Sequence, residues 1–262
     1  MLGWSINLFK VFGIQLAVHA SFVLLLAYYG YDGWRDGGVT GMLWSLGLII
    51  LFFGCVVLHE LGHSLTARRF GVRVPRILLL PIGGMAEFDR IPRKPSEELL
   101  ITVAGPAVNF FLVAALLPLA WHGLWSQEDI GEYSATNLIQ QLWVANLFMG
   151  IFNLLPVFPM DGGRIFRALL AMKLPYLRAT YWAVSVGKIL ALVFAALAAF
   201  YFHRPVTCVL FLFILWAGDA EYKHTLRREK EALYWAERSQ RARIESDNGE
   251  PPAPPLILQG PT

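Results

Sequence analysis

Polar positions interrupt this chain so rarely that its organisation is set by where the apolar runs stop. Six runs stand out, near residues 14–31, 42–67, 98–121, 137–155, 179–202 and 205–220. A helix crosses a hydrocarbon core of roughly 30 Å with about 20 residues, and these runs match that length rather than the short alternation of barrel strands. With no water to satisfy loose backbone groups in the core, each run is expected to be a helix. The expected fold class is therefore an all-α polytopic membrane protein with six transmembrane helices.

Composition agrees. The hydrophobic set makes up 56% of 262 residues and charged residues only 16%, with a mean hydropathy of +0.51, too little charge for a soluble surface of this size. Cys55 and Cys208 fall inside expected spans without metal or disulfide spacing, which makes them small buried apolar residues. Residues 1–10 lack the pattern of a cleaved signal peptide, so the first span is expected to start insertion.

Between the second and third spans, residues 72–88 (VRVPRILLLPIGGMAEF) read as two short apolar strands around Pro81 and the Gly83-Gly84 pair, a hairpin. Beyond the last span, residues 222–248 are charged and helix-favouring, with Leu226, Leu233, Tyr234 and Trp235 scattered among them, and are expected to lie along the membrane surface. Residues 249–262 are Pro-rich and read as disordered. The chain thus divides into a six-span domain (1–221), a charged helix (222–248) and a tail (249–262).

Charge orients the spans. Lys10 precedes the first; Arg68, Arg69, Arg73, Arg76, Arg90, Arg93 and Lys94 follow the second; Arg164, Arg167, Lys173 and Arg178 follow the fourth; seven more bases lie between Lys223 and Arg243. The other side holds Arg35 and Arg204 beside Asp32, Asp36, Glu128, Asp129 and Glu132. The positive-inside rule then places both termini in the cytoplasm, in a multi-pass cell (inner) membrane protein. Bases arranged along a membrane rim favour anionic lipid as partner, not nucleic acid. Lys188, alone within a span, is expected to snorkel to the cytoplasmic interface.

Candidate chemistry lies where the second span ends, GCVVLHELGHSLTARRF. His59 and His63 are four residues apart, on one helix face, with Glu60 beside them. Two imidazoles on one face hold a zinc ion, and an adjacent carboxylate serves as general base to a water activated by it. Two imidazoles and a carboxylate deep in an apolar helix also need a partner of this kind to offset their desolvation. Catalytic zinc takes three protein ligands. Asp161 is the candidate third, at a depth comparable with His63, after Pro156 and Pro159 break the helix and before Gly162 and Gly163 free the chain. A capping aspartate at the interface is the alternative role for it.

These residues resemble the site-2 protease family of intramembrane zinc metalloproteases. The likeness rests on HELGH at 59–63, on Asn153 to Pro156 with Asp161-Gly162, on AGPAVNFF around Gly105, Pro106 and Asn109, and on GIQLAVHASF before the first span, and it covers roughly 11–220. The resemblance implies one zinc per chain and hydrolysis of a peptide bond in a transmembrane protein substrate. It implies His59, His63 and Asp161 as ligands, Glu60 as base, and Asn109 and Asn153 as residues that hold the substrate or the site's geometry. It also implies that the hairpin with Gly83 and Gly84 dips into the membrane and meets the substrate by edge pairing. Many members of the family carry PDZ or CBS domains, for which no segment here is long enough. A zinc transporter is the rival class, but transport needs no general base beside the histidines.

Overall fold

The structure, a computed structural model, describes residues 4–89, 94–125, 133–201 and 205–247. The Pro-rich tail and the bases and acids at 90, 93, 128, 129, 132 and 204 lie outside these. The elements in order are β1 (Ser5–Val11), β2 (Ile14–His19), α1 (Phe22–Arg69), β3 (Arg76–Leu80), β4 (Gly83–Glu87), α2 (Pro95–Trp125), α3 (Ala135–Asn153), α4 (Asp161–Ala171), α5 (Tyr176–Ala196, followed by a π turn, Leu197–Tyr201) and α6 (Pro205–Asp247).

The first expected span begins as strand. Residues 14–19 form β2 and helix begins only at Phe22. Ile14, Leu16 and Val18 alternate with Gln15, Ala17 and His19, a period of two that the length of the apolar run conceals. From Phe22 the chain stays helical to Arg69 except at Gly37 and Gly38. Gly38, at φ 58° and ψ −142°, takes a conformation essentially closed to other residues, and there α1 folds back on itself. The rings of Phe22 and Phe53 meet edge to face at 4.6 Å, and a β-carbon on Gly30 would touch Leu46 at 3.4 Å, pairings that define an antiparallel helical hairpin with arms 22–36 and 39–69.

The strands expected at 72–88 are β3 and β4, but they form half of a four-stranded sheet, β1-β2-β3-β4. β1 and β2 are antiparallel through a two-residue turn in which Phe12 and Gly13 both have positive φ. β2 and β3 are parallel, with α1 as their crossover, and β4 is an outer strand. One sheet face, with Ile14, Leu16, Ile77 and Leu79, packs on Phe53, Val56 and Leu61 of α1 and Ile101 of α2. The sheet is thereby fixed against the turns that carry His59, Glu60 and His63.

Among the described residues, Phe22–Arg69, Pro95–Trp121 and Tyr176–Ala196 are long and apolar enough to cross a membrane. α3, with Asn137, Gln140, Gln141 and Asn146, falls outside that set. Leu24, Phe111, Phe148, Trp216 and Phe200 are each at least two-thirds exposed, a density of open apolar surface that a hydrocarbon solvent explains and water does not. The expected boundary at 221 falls inside α6, which continues unbroken to Asp247.

α4 is anchored by charge. Arg167 is 1% exposed and pairs with Glu98 of α2, at 2.5 Å from Nη2, and with Glu221 of α6. The Arg167 guanidinium also stacks 5.1 Å from the centroids of Phe158 and Tyr176. Burial works to lower the pKa of Arg167, and the Glu98 carboxylate, with Tyr176 and Glu221, outweighs it and raises the value. Arg167 is thus an internal tie and not the free rim charge that its place in the sequence implies. Lys188, expected to snorkel, pairs with Asp219 of α6.

Candidate metal centre

His59 and His63, one turn apart on the second arm of α1, are buried with their rings edge to face, centroids 4.7 Å apart. Asp161 reaches them from the first position of α4. The stretch before it, 154–160, is short because it doubles back tightly: a β-carbon on Gly162 would stand 2.1 Å from the Leu155 carbonyl oxygen. The Nε2 atoms of the two histidines are 3.1 Å apart, and each lies 3.2 Å from Asp161 Oδ2.

The outer nitrogens are occupied. His63 Nδ1 is 2.8 Å from the Ile101 carbonyl, which only accepts, so Nδ1 carries the proton. His59 Nδ1 donates to Asn109 Oδ1 at 2.5 Å. With both Nδ1 protons so placed, the three atoms that face one another at the centre are all acceptors, and buried Asp161 Oδ2 has no hydrogen-bond donor. Three lone pairs held together in this way repel one another unless a cation lies between them. Their spacing suits one: zinc–ligand bonds of about 2.0–2.1 Å in a tetrahedron separate the ligand atoms by about 3.3 Å.

Helix α2 supplies the wall. Ile101, Gly105 and Asn109 lie four residues apart, on one face. A β-carbon on Gly105 would stand 2.2 Å from His63 Nε2 and 2.8 Å from His59 Nε2, so any side chain there would fill the space in which a metal would sit. Glu60 is half-buried beside the histidines and rests on β4, with its Cγ 2.6 Å from where a Gly84 β-carbon would be. The structure therefore brings His59, Glu60, His63, Asn109, Asp161 and Gly84 to one locality.

Asn153 closes α3, half-buried. The amide that Asn109 meets is instead Asn146, two turns earlier. Neither Asn146 nor the Ile101 carbonyl was expected from the sequence. A single polar residue in WVANLFMG is the only trace of the first, and a backbone carbonyl leaves no trace at all. The common face of 101, 105 and 109 was readable from spacing.

This geometry, a pair of histidines one turn apart closed by an aspartate from the start of α4, is that of a group able to hold a metal ion. The model of peptidase family M50 matches residues 47–125 and 123–194, and the chain belongs to that family. A zinc metalloprotease of Methanocaldococcus jannaschii is 43% identical over 193 residues, 73% of this chain and 53% of that protein. Stage IV sporulation protein FB of Bacillus subtilis is 30% identical over 189 residues, 71% of this chain and 62% of that protein. The solved site-2 protease from Methanocaldococcus jannaschii matches with a TM-score of 0.59 at 39% identity, covering 84% of this chain and 95% of that one. The chain spans about half the length of the first of these curated relatives.

Proposed function

We propose that this protein is an intramembrane zinc metalloprotease that hydrolyses a peptide bond in or near a transmembrane segment of another protein. The convergence of three buried acceptors from two helices, α1 and α4, at the spacing zinc requires, carries the reading. The relatives named zinc metalloproteases support it. His59, His63 and Asp161 are the ligands. One zinc ion held by them supplies a water with its pKa lowered to about 7 and a Lewis acid for the scissile carbonyl.

The remaining steps belong to the chain's own residues. The Glu60 carboxylate, adjacent in sequence to His59 and in the same cleft, takes a proton from the attacking water and returns it to the leaving nitrogen. A substrate helix hides its amides and must unwind first. The unwound stretch then adds as a further strand to the outer edge of β4. Because Gly84 has no side chain and Glu60 lies against it, that edge leads the substrate backbone past the base, and Gly83 and Gly84 keep the path clear. Asn153, at the end of α3, steadies the substrate.

Six spans with both termini in the cytoplasm place His63 and Asp161 within roughly 8 Å of the cytoplasmic boundary, at about 1.5 Å per helical residue. Cleavage there releases the cytoplasmic part of a membrane-held protein, as regulated intramembrane proteolysis does. The test is a comparison of membrane proteomes from cells carrying the native chain or Glu60→Gln. Fragments dependent on Glu60 are expected, and identical fragment sets would remove Glu60 from the mechanism.

A further inference from the structure

We infer that Asn146 is a positioning residue of the metal centre, one that decides which nitrogen of His59 is offered to the metal. The inference rests on the metal-site reading above. An amide side chain presents an oxygen or an NH2 group depending on a half-turn about one bond, so Asn109 alone could either accept from His59 Nδ1 or donate to it. If it donated, the His59 proton would move to Nε2, and the lone pair would point away from Asp161.

A chain of hydrogen bonds with one fixed end removes this ambiguity. The Leu142 backbone carbonyl can only accept, and Asn146 Nδ2 lies 2.8 Å from it, so Asn146 Nδ2 donates. Asn146 Oδ1 must then face the other way, where Asn109 Nδ2 donates to it at 3.0 Å. That leaves Asn109 Oδ1 toward His59, where it accepts from Nδ1 at 2.5 Å. Polarity set by a main-chain carbonyl of α3 passes through α2 to the imidazole of α1. Asn109 and Asn146 are both 0% exposed, so no bulk water can replace a missing member. Gly150 lies one turn past Asn146, and its β-carbon position is 3.3 Å from Asn109 Cβ, which keeps α3 close enough for the relay.

Two substitutions of similar size should therefore behave differently. Asn146→Leu removes the acceptor for Asn109 Nδ2 and lets the Asn109 amide turn over. Asn146→Asp keeps an oxygen facing Asn109 Nδ2, the acceptor that holds the Asn109 amide in place, and so preserves the polarity. A role confined to helix packing would treat the two alike.

The experiment is zinc affinity by chelator competition on the full chain in lipid nanodiscs, with thermal unfolding recorded alongside. Partners of a metal-ligating histidine change metal affinity by about 10–100-fold, and Asn146→Leu is expected to weaken zinc binding by about tenfold, with Asn146→Asp within about threefold of native. Asn146→Ala takes the place of the leucine variant if that one does not fold. Native affinity in Asn146→Leu overturns the inference, as does equal weakening in both variants, and tenfold weakening in Asn146→Asp overturns it without the other. A native chain that binds no zinc is a different result, which removes the metal-site reading itself.

Discussion

At the scale of single residues, the metal centre is defined as much by what is absent as by its ligands. Gly105 leaves open the space between His59 Nε2 and His63 Nε2. Gly105→Ala is expected to weaken zinc binding by more than about tenfold, as loss of a ligand-orienting contact does, with helical content by circular dichroism unchanged. Native zinc affinity in this variant would mean that the metal lies elsewhere. His59, His63 and Asp161 were legible in the sequence as one group, the histidines by their helical spacing and Asp161 by the prolines before it and the glycines after it. Asn146 was not, because its role depends on the relative placement of α2 and α3, which no local pattern encodes.

At the level of elements, α4 is a short helix whose first residue must reach the two histidines of α1. Arg167, six residues beyond Asp161, holds it through Glu98 of α2 and Glu221 of α6. Arg167→Met leaves Glu98 buried without its partner, a change that costs about 3–5 kcal/mol. The variant should unfold at markedly lower temperature, and Arg167→Met with Glu98→Leu should recover much of the loss. A single variant as stable as the native chain would mean that the pair contributes no net anchoring. The sequence placed Arg167 among the rim bases since charge near a span end is ordinarily solvated, and only the tertiary fold supplies the two carboxylates. Runs of apolar residues likewise located most of the helices. They hid β2, whose alternation of Ile14, Leu16 and Val18 is embedded in a longer apolar stretch, and with it the sheet that β3 and β4 complete.

At the scale of the whole molecule, the proposed orientation puts the hairpin bend of α1 outside and the link from α4 to α5 inside. Arg35 and Lys173 are exposed at these two places. In a background free of Cys55 and Cys208, a membrane-impermeant thiol reagent added to intact cells should label Arg35→Cys and spare Lys173→Cys. The reverse pattern would invert the topology and the side on which product leaves. The proposed orientation is read from the charge distribution along the sequence, to which insertion itself responds. The unbroken course of α6 past 221 was not readable, because a charged helix-favouring segment reads the same whether it lies on a membrane or projects from it.

His59, His63 and Asp161 are proposed to hold a zinc ion beside a base, Glu60, that acts on a membrane substrate. The most direct measurement incubates native and Glu60→Gln protein in bilayers with a transmembrane peptide and reads zinc content and cleavage on the same samples. About one zinc per chain is expected in both, as three protein ligands with one open position imply, and cleavage by the native chain only. Cleavage by native protein that contains no zinc, or by Glu60→Gln at the native rate, would contradict the proposal.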